Sequence, residues 1–175
     1  MNSKEKGNNF ERKTAKMLSD RFAEKTGITS AFKRNIDSGS FMGGNNQNRT
    51  TTHDMDKAEF GDIIAPRSFI YTIECKHYKS APSFSQIMSQ SCATLDEWIA
   101  KAEQDSKNAS KKMSVIMKFN NVKEAVLLKQ LFGDLASIMR YKEYHIVPLV
   151  DFLRQNDTYF FVEELPNEPK KNSPP

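Results

Sequence analysis

The segment from Gly61 to Lys76 constrains the fold more than any other part of the chain. It reads as two short strands joined by a turn at Ala65-Pro66-Arg67-Ser68, where proline presets φ. Side chains alternate along a strand, so Thr72, Glu74 and Lys76 share one face, and Tyr71, Ile73 and Cys75 take the opposite, buried one. Folding back at the turn brings Asp62 to the Thr72–Glu74 end of the second strand. Two carboxylates and one ammonium then meet beside otherwise apolar strands.

That grouping suits a hard divalent cation, which takes oxygen ligands and keeps several waters around one or two carboxylates. Asp62 and Glu74 are the candidate ligands, and the main-chain carbonyl of Cys75 adds a third from the same strand. A cation so placed polarises a phosphoryl oxygen and lowers the pKa of its water. Lys76 is positioned to hold that water or to neutralise charge on the scissile phosphate. The competing reading is a structural ion pair at the end of a hairpin, because a bare Glu-x-Lys is common on half-exposed sheets. Gly61-Asp62, with Asp62 twelve residues before Glu74 and across a turn, favours the catalytic reading.

The remaining chain supplies a scaffold. Asn8 to about Lys25 reads as a helix, with an apolar stripe of Phe10, Ala15, Leu18 and Phe22 and a stop at Gly27. Glu11 falls in its first turn, where the helix dipole also favours a carboxylate. Ile28 to Asn35 reads as a strand. Residues 37–60 are polar and glycine-rich, the composition of a mobile, functional loop. Phe41 and Met42 in that loop either wedge into a distorted duplex, pack on a partner subunit or fold back on the core, and His53 and Asp54 are a weak metal pair or base. Ser83 to about Lys107 reads as one long helix entered at Pro82, with Trp98 in the core and Gln86 a minor candidate for the site. Lys112 to Phe119 reads as a strand. Further on, Glu124–Phe132 reads as a helix or, over Ala125–Leu128, as a strand, Tyr144–Val147 as a strand, Val150–Gln155 as a short helix, and Tyr159–Val162 as a last strand or docking segment. The expectation is a single domain over 1–165 with a disordered, proline-rich tail over 166–175.

Composition excludes several classes. With 38% hydrophobic and 27% charged residues and no long apolar run, no membrane association is expected. The start of the chain lacks the apolar stretch of a signal peptide. Cys75 and Cys92 are too few for a zinc cage or a disulfide framework, which points to a reducing, cytoplasmic setting. Net charge is +4, and Lys33, Arg34, Arg49, Lys57, Arg67, Lys76, His77 and Lys79 gather around the candidate site in sequence. Such a cluster attracts a phosphate backbone and makes binding salt-dependent; a solvated basic face is the alternative.

These residues resemble the PD-(D/E)XK nuclease superfamily, and within it the archaeal-type Holliday-junction resolvases and their phage relatives. Three segments of the first half carry the likeness: Lys6-Gly7-Asn8-Asn9-Phe10-Glu11-Arg12, then Arg34 to Ser38-Gly39-Ser40, then Asp62…Glu74-x-Lys76. The resemblance implies a restriction-endonuclease-like α/β core, a mixed central sheet flanked by helices. It implies that Glu11 joins Asp62, Glu74 and Cys75 at the metal, that Ser38 assists Lys76 in cleavage, and that Ser40 lies on the DNA path with Lys33, Arg34, Arg49, Lys57, His77 and Lys79. Mg²⁺ is the implied cofactor, with Mn²⁺ a workable substitute. The products would carry 5′-phosphate and 3′-hydroxyl ends. Branched DNA is the implied substrate, in recombination or repair, and a homodimer is implied because two opposed strands must be cut. Two departures stand out: Gly61 replaces a proline found in many members, and the loop after Ser40 is long. A restriction-type or repair nuclease on the same fold, or a non-catalytic DNA-binding protein, are the alternatives.

Overall fold

The computed structural model describes residues 2–35 and 60–162. Ser38, Ser40, Arg49 and Lys57, the rest of the predicted loop before Phe60, and the predicted tail lie outside the described residues.

The chain opens with α1 (Ser3–Arg21), started by the Asn2 side chain accepting from the Glu5 amide. A short α2 (Ala23–Thr26) follows and ends at Gly27, whose φ of 65° is the left-handed cap glycine favours. The first helix therefore begins a turn earlier than its apolar stripe suggests. Glu11 sits in the third turn rather than the first, so the dipole does not account for it.

The strand expected over 28–35 shrinks to β1 (Lys33–Arg34), which pairs antiparallel with β2 (Ile63–Ile64). The 61–76 hairpin does not form. Gly61 instead bridges Ile73 in parallel, and β3 (Tyr71–Tyr78) pairs in parallel with β4 (Lys112–Phe119). The turn at Pro66, where the Phe69 amide reaches the Pro66 carbonyl, is followed by a run back along Phe160 and Phe161 before β3 begins.

A parallel pair needs a crossover, and helices supply it. The one long helix predicted over 83–107 is two: α3 (Phe84–Met88) and α4 (Ala93–Ala109). Ser83 and Gln86 form a reciprocal capping box, and the chain breaks at Gln90, whose φ is 53°. After β4 come β5 (Ala125–Leu128), β6 (Met139–Tyr141), β7 (Tyr144–Pro148) and α5 (Leu149–Arg154). The five-stranded mixed sheet has the order β3-β4-β5-β7-β6, with β3 and β6 as its edges. The expected α/β architecture, a mixed sheet flanked by helices, is the one observed.

Alternation along the strands splits the core in two. Ile73, Cys75, Ile116, Val126 and Val147 face α1, α5 and a group of rings around Phe22 and Phe69. Met113, Val115, Met117, Leu127 and Ile146 face α4, through Leu95, Trp98, Ile99 and Ala102. Trp98 is core, packed 4.8 Å from the Tyr78 ring. Both faces of β3 are thus covered from Tyr71 to Cys75, where the sequence reading left one face open. The candidate acidic residues lie on a covered face and at an outer sheet edge.

Candidate active site

The outer edge of β3 holds the site together through main-chain bonds to the Gly61–Asp62 segment. The Asp62 amide donates to the Ile73 carbonyl at 2.8 Å, and the Cys75 amide donates to Asp62 Oδ2 at 2.8 Å. Asp62 is clamped from its other side, where the Asn35 amide donates to the Asp62 carbonyl and the Asn35 side chain to the Gly61 carbonyl. Gly61 is required here. Its φ is 87°, and a Cβ on it would stand 2.7 Å from the Ile73 carbonyl oxygen. Proline, with φ near −65°, cannot take that conformation, so this backbone differs from one built around the proline of the resemblance.

Glu74 points to the α4 face and is 2% exposed at its side chain. Lys76 Nζ donates to Glu74 Oε1 at 2.5 Å. A second ammonium, Lys101 of α4, donates to both Glu74 oxygens at 2.6 and 2.7 Å and lies 3.7 Å from Asp62 Oδ1. Burial pushes the Glu74 carboxyl above its usual range and the Asp62 charge adds to this, while Lys101 and Lys76 pull it back. Burial by itself would lower the Lys101 pKa, but the Glu74 and Asp62 charges carry it above its ordinary value. Asp105, one helical turn beyond Lys101, has its carboxyl raised by burial; Lys101 opposes that shift and Asp62 reinforces it.

Glu11 stands apart. Its carboxylate accepts from Arg34 Nε at 2.5 Å, and Arg34 also donates to Asn8 Oδ1 at 2.8 Å. Two residues of the first resemblance segment are thus joined to the first residue of the second. Arg34 is only 20% exposed at its side chain and is committed to this contact. Of the other basic residues, Lys33, Arg67 and Lys79 are exposed, and His77 packs edge-on against Phe10 at 5.5 Å. Gln86 is taken up by its capping box and is exposed. The structure therefore brings Asp62, Glu74 and Lys76 together and leaves Glu11 with Arg34. Lys101 and Asp105 were missed by sequence reasoning. The available signal was a lysine and an aspartate at i and i+4, beside the Trp98–Ala102 apolar stripe; nothing in the sequence says which strand they meet.

Among the described residues, no three His, Cys, Asp or Glu side chains converge as a metal cage. The donor set nonetheless suits a hard cation that keeps most of its waters, since Asp62 and Glu74 offer carboxylate oxygens and an ammonium already sits between them. The Cys75 thiol is a poor donor. Burial, with the Asp62 charge next, pushes its pKa well up, so the sulfur stays protonated. Its carbonyl is the better candidate, because the amide and carbonyl of one residue project to the same side of a strand and the Cys75 amide meets Asp62 at the outer edge.

Comparisons with curated proteins and with solved structures returned no match. Residues 2–162 match a family described as "Phage putative PDDEXK endonuclease". That match spans the α1 glutamate, the edge aspartate and the Glu74-x-Lys76 strand, and by it the chain belongs to the phage PDDEXK endonuclease family.

Proposed function

We propose that this protein is a metal-dependent DNA endonuclease that hydrolyses phosphodiester bonds in branched DNA, as a Holliday-junction resolvase does. The observation that carries the catalytic part is the meeting of Asp62, Glu74 and Lys76 at the outer edge of β3. Two carboxylates buried beside two lysines serve no evident packing purpose, and a carboxylate raised by burial, as Glu74 is, favours a functional role. Mg²⁺ held by Asp62, Glu74 and the Cys75 carbonyl would supply Lewis-acid polarisation of a phosphoryl oxygen and an acidified water; Mn²⁺ has the same ligand preference.

The chain's own groups do the rest. The Cys75 amide orients the Asp62 carboxylate. Glu74 holds Lys76 at 2.5 Å, which fixes the ammonium next to the place where charge develops on the phosphate. The Glu11–Arg34 pair locks α1 to β1 and so holds Asn35, which in turn clamps Asp62. In this reading Glu11 positions the site, and it joins the ligand set only if Arg34 turns away to a phosphate. Lys33, Lys79 and His77 are the proposed contacts to the DNA backbone, and Ser38, Ser40, Arg49 and Lys57 complete the proposed set from the sequence.

The junction preference and the homodimer rest on the resemblance and on the need to cut two opposed strands. A duplex-cutting restriction or repair nuclease would share every residue of the site. Cleavage of a labelled four-way junction beside a matched linear duplex separates the two, with Mg²⁺ or EDTA and with wild type and Asp62→Asn. Paired symmetric nicks in the junction alone, dependent on Mg²⁺ and Asp62, are expected. Equal cutting of the duplex would retain the nuclease and discard the resolvase. Tight binding with no cutting of any DNA would leave a non-catalytic DNA-binding protein.

A further inference from the structure

Lys101 is the residue that this site does not need by the reading above, yet its ammonium faces both carboxylates. Its ammonium lies 2.6 and 2.7 Å from the two Glu74 oxygens and 3.7 Å from Asp62 Oδ1. It reaches that position from α4, across the covered face of the sheet, while Lys76 already neutralises Glu74 from the same strand. At contact distance the metal-free cluster sets two carboxylates against two ammoniums, and Asp105 is a further carboxylate within electrostatic reach.

We propose that Lys101 is an internal counter-ion that occupies the cation position between Asp62 and Glu74 and is displaced when a divalent metal binds. The inference rests on the metal-dependent reading of the same site. Three features support it. First, Nζ contacts the very oxygens a metal would take, so the two occupants exclude one another. Second, charge balance favours the exchange. A divalent cation added while both ammoniums stay in place leaves more positive charge than Asp62, Glu74 and the nearby Asp105 can offset, which is costly in a buried site. With Lys101 gone, the carboxylates, Lys76, the cation and one scissile phosphate sum to zero. Third, the displaced lysine has somewhere to go. Asp105 lies one turn along the same helix face, within electrostatic reach of both Lys101 and Asp62. Lys101 is 40% exposed at its side chain against 20% for Lys76, so it is the ammonium freer to leave.

The consequence is that wild-type protein binds metal weakly in the absence of DNA, because each binding event must expel an ammonium. Phosphate bound beside the cluster favours the exchange, so DNA and metal load together. Lys101→Met removes the competitor and keeps the stem that packs on the sheet.

The test is calorimetric titration of Mn²⁺ into the full chain without DNA, using wild type, Lys101→Met, Lys101→Arg and Asp62→Asn. Lys101→Met should bind about tenfold tighter than wild type or better, and the rise in its melting temperature on adding Mn²⁺ should be larger. Lys101→Arg, which keeps the charge, should bind no tighter than wild type, and Asp62→Asn should lose the site. Lys101→Gln carries the same expectation as Lys101→Met and replaces it if the methionine variant does not fold. Unchanged or weaker Mn²⁺ affinity in the uncharged variants, with Asp62-dependent binding intact, would overturn the counter-ion while leaving the metal reading standing. No Asp62-dependent binding in wild type or in the uncharged variants would overturn both.

Discussion

Helix α4 carries two charged clusters, one on each flank, and only one of them is buried. Facing β3, Lys101 meets Glu74 and Asp62, and the Glu74 side chain is 2% exposed. Facing the β6–β7 hairpin, Asp96 accepts from Lys142 and from the Tyr141 hydroxyl, and Glu103 accepts from Lys129 and from the Tyr144 hydroxyl at 2.7 Å. The residue types are the same, but the carboxylates respond in opposite directions. Burial, then Asp62, raises the Glu74 pKa. Hydrogen bonds from Lys142 and Tyr144 head the causes that lower Asp96 and Glu103, respectively. Outer pairs of this kind sit in water, where screening leaves them little net energy. The inner cluster holds two carboxylates together at a desolvation cost that a purely structural pair would not need. Position on the helix, rather than residue chemistry, separates a candidate active site from a solvated face.

The largest effect should come from the inner cluster. Glu74→Gln and Asp62→Asn each remove a proposed metal ligand and should lower Mg²⁺-dependent cleavage by about a thousandfold or more. DNA binding should persist or tighten, because negative charge is lost beside a phosphate path. Lys76→Ala should cost about a hundredfold or more with metal still bound. Single-turnover cleavage with parallel gel-shift titration reads both quantities. If Glu74→Gln cut at the wild-type rate, the inner cluster would be no more functional than the outer one and the contrast would collapse.

Next in size is the backbone that aims Asp62. Gly61→Ala must place a side chain at φ 87° and 2.7 Å from a main-chain oxygen that has no room to shift within the sheet edge. A loss of about 2–4 kcal/mol in urea unfolding is expected, with cleavage reduced further because Asp62 moves with its neighbour. Wild-type stability in Gly61→Ala would mean that the edge is softer than the geometry suggests.

The two clusters also differ in how far the sequence discloses them. Glu74-x-Lys76 was legible because Tyr71, Ile73 and Cys75 alternate with polar residues along β3, and that alternation assigns the faces. Lys112–Phe119 was found at its full length for the same reason. Asp62 was correctly brought to the Glu74 end of β3, although by the wrong path. A hairpin and a parallel bridge both bring Asp62 alongside β3, and the hydrogen bonds that choose between them come from Asn35 and Phe160, far away in sequence. The break between α3 and α4 left no glycine or proline to mark it, since Gln90 itself takes the left-handed conformation. Lys101 stayed hidden because its role depends on which strand α4 crosses, and that follows from the packing of Trp98 and Ala102 on the sheet rather than from any local pattern.

The smallest effect should come from the outer cluster, and its sign sharpens the contrast. Hydrogen bonds from Tyr144 and then Lys129 hold Glu103 below its ordinary 4.5. A carboxylate depressed in the folded state contributes stability above its unfolded pKa and loses it as pH falls through the folded value. Glu103→Gln should therefore cost about 0.5–1 kcal/mol at neutral pH, kept small by solvent screening, and the gap to wild type should close as pH drops through and below 4.5. Urea midpoints for both proteins across that range measure it. A gap that widens toward acid would mean that Glu103 is strained like the inner carboxylates, and the difference between the two flanks of α4 would then be one of degree.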